Sequence, residues 1–162
     1  MRIGVVSDTH NNLKNVATIV RLFNEAAVDR VIHTGDITQA KTLDVLADLA
    51  MPMVGVFGNN DIGEREPLQR AMDAHGFDFR DPPYELTWHN RRIMVVHDPL
   101  EFDGQLADHH ELALHGHTHR FRHERIGSNT FYNPGECAGM IAGLNAVGIV
   151  DLTTLDTELL RF

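Results

Sequence analysis

Three histidines stand at every second position in Leu114-His115-Gly116-His117-Thr118-His119. Imidazole is the commonest transition-metal ligand and the side chain that titrates nearest neutral pH. On an extended backbone residues two apart point to the same side, so this stretch would turn its rings toward one space. Asp8-Thr9-His10 repeats the spacing with a carboxylate in place of one ring. Further donors follow other apolar runs: Asp36 after Val31-Ile32-His33-Thr34-Gly35, Asn59 after Val56-Phe57-Gly58, and His97 after Val95-Val96.

Asp8, His10, Asp36, Asn59, His97, His117 and His119 are too many donors for one ordinary transition-metal site, which takes about four protein ligands. The set predicts two ions that share one carboxylate, with a bridging hydroxide completing each shell and Asp36 as the natural bridge. Two divalent ions bring four positive charges, of which two aspartates and a hydroxide cancel three. The remainder suits the anion of a phosphate ester. Such ions would lower the pKa of the bridging water and stabilise the phosphoryl oxygens during in-line attack.

These donors need a scaffold that gathers them. Ile3–Val6 predicts a buried strand, Asn11 or Asn12 a helix cap, and Leu13, Val16, Val20, Phe23 and Ala27 the inward stripe of the helix that follows. The unit recurs in strand Arg30–His33 with helix Thr38–Ala50. It recurs again in strand Met53–Phe57 with a helix that has Pro67 in its first turn and Gly76 at its end. Strand–loop–helix repetition implies a parallel sheet, and ligands of such sheets gather outside the carboxyl ends of the strands, where these donors lie. Beyond Gly76, Tyr84–Trp88 and Arg91–His97 read as a hairpin about His89-Asn90, and Glu101–His110 as a loop or weak helix. Glu111–Leu114, Arg120–Ile126, Thr130–Tyr132, Ala146–Leu152 and Leu155–Phe162 read as strands, the last four all expected in a second sheet packed on the first.

Length and composition narrow the function classes. A chain of 162 residues predicts one domain, large enough to bury a core without disulfides or a structural metal. Its 43% hydrophobic and 23% charged residues exclude wholesale disorder. A formal charge of −9 argues against an extended nucleic-acid surface, so any anion must be bound locally. Cys137 is the one cysteine, which points to a reducing, cytoplasmic setting. Ile3–Val6 is too short for a signal-peptide core, and no apolar run approaches the ~18 residues of a membrane span.

The ordered series Asp8-x-His10, Gly35-Asp36, Gly58-Asn59-Asn60-Asp61, His97 and Gly116-His117-Thr118-His119 resembles the calcineurin-like metallophosphoesterase superfamily. Within it the chain is most similar to the small single-domain bacterial and archaeal phosphodiesterases, over Met1 to Gly139 and including Asn133-Pro134-Gly135. The resemblance implies one metallophosphoesterase domain over 1–162, a four-layer α-β-β-α sandwich of two mixed β-sheets flanked by helices. It also implies a small phosphodiester substrate and two divalent ions, one held by Asp8, His10, Asp36 and His119, the other by Asp36, Asn59, His97 and His117. Manganese is the first expectation; nickel, iron, cobalt and zinc also suit mixed imidazole and carboxylate donors.

Several positions depart from the superfamily's pattern. Asn60 stands where many members have a histidine that is thought to aid the transition state or protonate the leaving group, and an amide is no general acid. That predicts good leaving groups and diesters over monoesters, unless His109 or His110 supplies the proton. Asp98 replaces a common glycine and puts the backbone beside His97 in question. The residues after Asp36 lack the second acid that larger members carry. Asp61 reads either as a residue behind a ligand or as a helix cap, while His33, His75, His89, His115, His123, Cys137 and Trp88 read as structural. The rival functions are phosphomonoester hydrolysis at the same site and a non-catalytic scaffold like the small retromer subunit; self-association stays open.

Overall fold

Ile3 to Val6 are wholly buried in the computed structural model, which describes residues 1–162, and they form most of the first strand, β1 (Arg2–Val6). Helix α1 (Leu13–Ala26) follows; Asn12 caps it by accepting the Asn15 N–H at 3.3 Å, and Val16, Ile19, Val20 and Phe23 face inward. Strand β2 (Arg30–His33), helix α2 (Ala40–Leu46) and strand β3 (Met53–Val56) repeat the unit. A 3-10 turn (Asn59–Glu64) then leads into helix α3 (Arg65–His75), with Pro67 in its first turn and Gly76 in the left-handed closing position.

Helix α2 is shorter than the sequence predicts. The Thr38 N–H is given to the Asp61 carboxylate at 2.7 Å with Thr38 at φ +70°, so the chain cannot turn helical there. At the other end Asn24 of α1 accepts the Ala50 N–H at 2.9 Å and donates to the Asp48 carbonyl at 3.0 Å, which ties the chain off.

Strand β4 (Asp78–Arg80), which the sequence analysis does not anticipate, pairs parallel with β3 at the sheet edge. The expected hairpin is β5 (Tyr84–Trp88) and β6 (Arg91–Val95), followed by β7 (Leu112–Leu114), β8 (Arg122–Ile126), β9 (Asn129–Asn133), β10 (Ala146–Asp151) and β11 (Thr157–Arg161). The strand order is β11-β10-β1-β2-β3-β4 in one sheet and β5-β6-β7-β9-β8 in the other, and both are mixed. The expectation that the last four strands share the second sheet fails for two of them. β10 and β11 extend the first sheet, β10 antiparallel to both β1 and β11. Every residue of β10 but its last is buried, and a strand covered on both faces shows no alternation to reveal its sheet.

Three apolar layers hold the fold. Val16, Phe23, Leu43 and Leu68 of the helices pack on Val6, Val31 and Val147 of the first sheet. Between the sheets lie Ile3, Val5, Ile32, Val56, Ile93, Leu112, Leu114 and Tyr132. The outer face of the second sheet is covered by a thinner layer, in which Phe102 of the 3-10 turn Pro99–Phe102 sits on Met94, Val96 and Ala113. No helix is long and apolar enough to cross a membrane. The arrangement sends the carboxyl ends of β1, β2 and β3 and those of β6 and β7 to one edge of the sandwich.

Candidate metal centre

Five of the predicted donors occupy left-handed backbone: Asp8 (φ +51°), His10 (+39°), Asp36 (+60°), His117 (+65°) and His119 (+57°). For non-glycine residues this costs roughly 1–2 kcal/mol each, and strain gathered at one place points to function. Loop-to-loop hydrogen bonds hold these turns. Asp8 N–H bonds the Gly35 carbonyl at 3.1 Å, His10 N–H the Asp36 carbonyl at 3.1 Å, and Gly116 N–H the His97 carbonyl at 3.0 Å. Gly58 and Gly116 permit close approach, since a Cβ would collide with the Asp36 carboxylate at the first and with the Ser7 hydroxyl and the Asp8 carboxylate at the second.

The loops bring all seven predicted donors together. His10 Nε2 lies 3.2 Å from Asp36 Oδ2 and 3.8 Å from Asp8 Oδ1, and His119 Nε2 lies 3.4 Å from the same Asp8 oxygen. On the other side His97 Nε2 lies 3.4 Å from Asp36 Oδ2 and 3.0 Å from Asn59 Oδ1. His117 Nδ1 is 3.1 Å from that Asn59 oxygen and 3.3 Å from His97 Nε2. Asp36 Oδ2 therefore stands between two groups of candidate donors. Asp8 Oδ2 is engaged by the Ser7 hydroxyl and the His117 N–H, which leaves Oδ1 free to face the cluster.

The donor set fits divalent cations. Asp8 Oδ1 and His10 Nε2 are buried without hydrogen-bond partners, and Asp8–His10–His119 and Asp8–Asp36–His97 each converge closely enough to share an ion. Asp8, Asp36, Asp61 and Glu136 are buried carboxylates, yet no lysine or arginine is buried with them. Buried anions need compensation, so the counter-charge falls to protons on imidazoles or to metal ions.

Those imidazoles show the demand. Asp36 and then Asp8 hold the His10 pKa up at about 9. Burial opposes the charging of His97, but Asp36, the Thr34 carbonyl and Asp8 outweigh it and hold that pKa at about 9 as well. Burial would raise the Asp36 carboxyl, but the facing imidazoles of His10 and His97 and the Asn60 amide bring it well below the usual range. His33 is pulled down to about 4 by burial and stays neutral, a strut between the Gly35 N–H at 3.1 Å and Thr9 Oγ1 at 3.2 Å.

Supporting groups complete the site. Asp61 accepts the N–H groups of Asp36 (3.0 Å), Thr38 (2.7 Å) and Gly58 (2.7 Å), so it caps the 3-10 turn and fixes the Asp36 loop at once. Asn60 donates from its backbone and its amide to the two Asp36 oxygens, at 2.9 and 2.8 Å. Asn133 bridges the Gly116 carbonyl at 3.0 Å and Thr118 Oγ1 at 3.2 Å. Glu136, absent from the sequence reading, lies 3.1 Å from His119 Nδ1; its one signal was an acid placed directly after Asn133-Pro134-Gly135.

Asp98 does not disturb His97. It is extended (φ −84°, ψ 128°) and caps the 3-10 turn by accepting the Leu100 N–H at 2.9 Å, so no left-handed residue is required there. His109 and His110 precede β7, at the end of that strand opposite His117 and His119, and are therefore no source of the leaving-group proton. His110 Nδ1 accepts the Ala107 N–H at 3.0 Å, which puts its ring hydrogen on Nε2, 3.6 Å from Glu85. His115 turns away from the donors and packs edge-to-face on Phe102.

A cleft of about 310 Å³ opens beside His97, His117 and Asn59. Phe57 and Ile62 give it an apolar wall. Its lone cation, Arg65, lies over the Phe57 ring and pairs with Asp81 at 2.8 Å, while Asp98 and Glu101 add negative charge.

Comparison with known proteins agrees with this geometry. A family model described as the calcineurin-like phosphoesterase superfamily domain matches residues 1–155. Phosphodiesterase MJ0936 of Methanocaldococcus jannaschii is 29% identical over 155 residues, 93% of each chain. Among solved structures, one described as a novel archaeal phosphodiesterase superposes with a TM-score of 0.89 at 25% identity, covering all of both chains. Wild-type Vps29 of Entamoeba histolytica, described as complexed with zinc, shares the fold alone, with a TM-score of 0.67 at 17% identity over 100% of this chain and 98% of its own.

Proposed function

The chain belongs to the calcineurin-like phosphoesterase superfamily, and from that premise we propose that it is a dinuclear metal-dependent phosphodiesterase acting on small phosphodiesters. One observation carries the reading: Asp36 Oδ2 lies within 3.2 Å of His10 and 3.4 Å of His97, a single carboxylate oxygen shared by two sets of donors. Asp8, His10, Asp36 and His119 would hold one ion, and Asp36, Asn59, His97 and His117 the other. Manganese is taken as the leading ion with nickel, iron, cobalt and zinc as competitors, since mixed imidazole and carboxylate donors accept all of them and availability decides. Bound there, the two ions would supply a hydroxide near neutral pH and positive charge for the phosphoryl oxygens.

The chain's own groups do the rest. Asp61 and Asn60 fix Asp36 from below and beside, so the shared oxygen is set before substrate arrives. Asn60 has no proton to give, and the cleft beside the donors offers no lysine or tyrosine. The departing alkoxide therefore leaves unassisted by a side-chain acid, which favours acidic leaving groups. Phe57 and Ile62 would receive the second ester arm, and the carboxylates of Asp81, Asp98 and Glu101 disfavour a dianionic monoester against a monoanionic diester. The scaffold alternative has the Vps29 fold likeness behind it and the complete donor set against it. A reducing, cytoplasmic setting fits the buried, unpaired Cys137.

The test is metal-stripped protein reloaded with each divalent ion and assayed on bis(p-nitrophenyl) phosphate, p-nitrophenyl phosphate and cyclic nucleotides. Diester hydrolysis with manganese or a competitor is expected, and faster than monoester hydrolysis. No turnover with any ion would overturn the enzyme reading.

A further inference from the structure

We propose that Glu136 is a positioning residue that fixes the ring of His119 and makes the Asp8–His10–His119 half of the site the tighter of two unequal metal positions. The inference rests on the dinuclear reading above.

Glu136 is fully buried, and its Oε2 lies 3.1 Å from His119 Nδ1. An ionised carboxylate can only accept, so the shared hydrogen sits on Nδ1 and the lone pair on Nε2, the atom 3.4 Å from Asp8 Oδ1. A carboxylate behind a ligating imidazole fixes its tautomer and orientation and raises its basicity. The carboxylate is itself held. Oε1 accepts the Ile141 N–H at 2.6 Å and Oε2 the Met140 N–H at 3.3 Å, while the Glu136 carbonyl accepts the Ala146 N–H at 3.0 Å. The next residue donates its N–H to the Asp8 carbonyl at 3.2 Å, so one short segment steadies two donors of the same half-site.

The imidazoles of the other half are backed more weakly. His97 Nδ1 faces the neutral Thr34 carbonyl at 2.8 Å, and His117 Nε2 lies 3.6 Å from the partly exposed Asp98, beyond hydrogen-bond reach. Charge runs the same way. The Asp8–His10–His119 half has Asp8 within 3.8 and 3.4 Å of its two imidazoles, a share in Asp36 and the buried Glu136 behind it, whereas the Asn59–His97–His117 half has its share in Asp36 and, at its edge, the partly exposed Asp98.

The test compares metal-stripped wild type with Glu136→Gln by titration with Mn²⁺, and with Asp98→Asn as a control. In Glu136→Gln the amide must turn its donors either on His119 Nδ1 and the Met140 N–H or on the Ile141 N–H. Wild type should bind two ions in unequal steps. Glu136→Gln should weaken the tighter step by about 10–100-fold and spare the weaker one, and Asp98→Asn should leave the tighter step unchanged. Histidine ¹⁵N spectra of metal-free wild type add a readout that needs no variant: His119 should carry its hydrogen on Nδ1. A hydrogen on Nε2 alone, or two wild-type affinities in Glu136→Gln, would overturn this inference while leaving the dinuclear reading intact. Wild type that binds no divalent ion would overturn both.

Discussion

Asn60 grips Asp36 with two hydrogen bonds, its backbone N–H at 2.9 Å from Oδ1 and its side-chain amide at 2.8 Å from Oδ2. The residue that stands in place of a familiar histidine thus serves the shared carboxylate, and its chemistry sets the first prediction.

Asn60→His restores an ionisable group beside the phosphoryl position. The rate for alkyl esters should rise relative to nitrophenyl esters, toward the ~10²–10⁴-fold that a general acid contributes. The slope of log rate against leaving-group pKa measures it and should flatten. An unchanged slope would mean that the leaving group departs beyond reach of this position.

Asp36→Ala removes the one oxygen common to both donor sets. Tight binding of both ions should be lost together, as counted by elemental analysis after gel filtration. Retention of two tightly bound ions would show that the bridge lies elsewhere.

Stability of the metal-free protein should peak near pH 6.5. The pKa values of His10 and His97 are raised to about 9, so their contribution is complete below the ordinary 6.5 and is lost as pH rises to 9. His33, lowered to about 4, makes the fold less stable as pH falls from 6.5 toward 4. On the proposed assignment metal would take the place of the protons on His10 and His97. The loaded protein should therefore hold its Tm between pH 6.5 and 9 while the stripped protein loses it, and equal profiles from differential scanning calorimetry would refute the assignment.

Asp81→Asn frees Arg65 from its 2.8 Å ion pair at the cleft. The kcat/KM ratio of monoester to diester should rise a few-fold, roughly 1 kcal/mol of screened charge, and the gain should shrink in high salt. A ratio indifferent to both changes would remove Arg65 and Asp81 from substrate selection.

That the seven predicted donors gather at one edge was legible because a local rule operates on most of them. Asp8, Asp36, Asn59 and His97 stand within a few residues of the end of an apolar run, and the polar loop after a buried strand is visible within that length of chain. Helix α1 was legible for the same reason in its Asn12 cap and in Val16, Val20 and Phe23, although Ala27, expected inward, is the exposed left-handed residue that ends the helix. The other failures are long-range. Thr38 looks helical until Asp61, 23 residues on, takes its N–H. β10 reads as any apolar strand until its pairing with β1 assigns its sheet.

By itself, then, the sequence determined the donor types, their order and the strand–loop–helix units that carry them, since these depend on covalent neighbours and burial periodicity. Only the tertiary structure decided that Asp36 stands between the imidazoles of His10 and His97, that Asn60 and Asp61 hold it, and that Glu136 lies behind His119. Those relations depend on which buried carboxylate finds which N–H between loops far apart in the chain that follow neighbouring strands of one sheet. Desolvation makes such a partner obligatory, but only the pairing of β2 with β3 and of β7 with β9 supplies it.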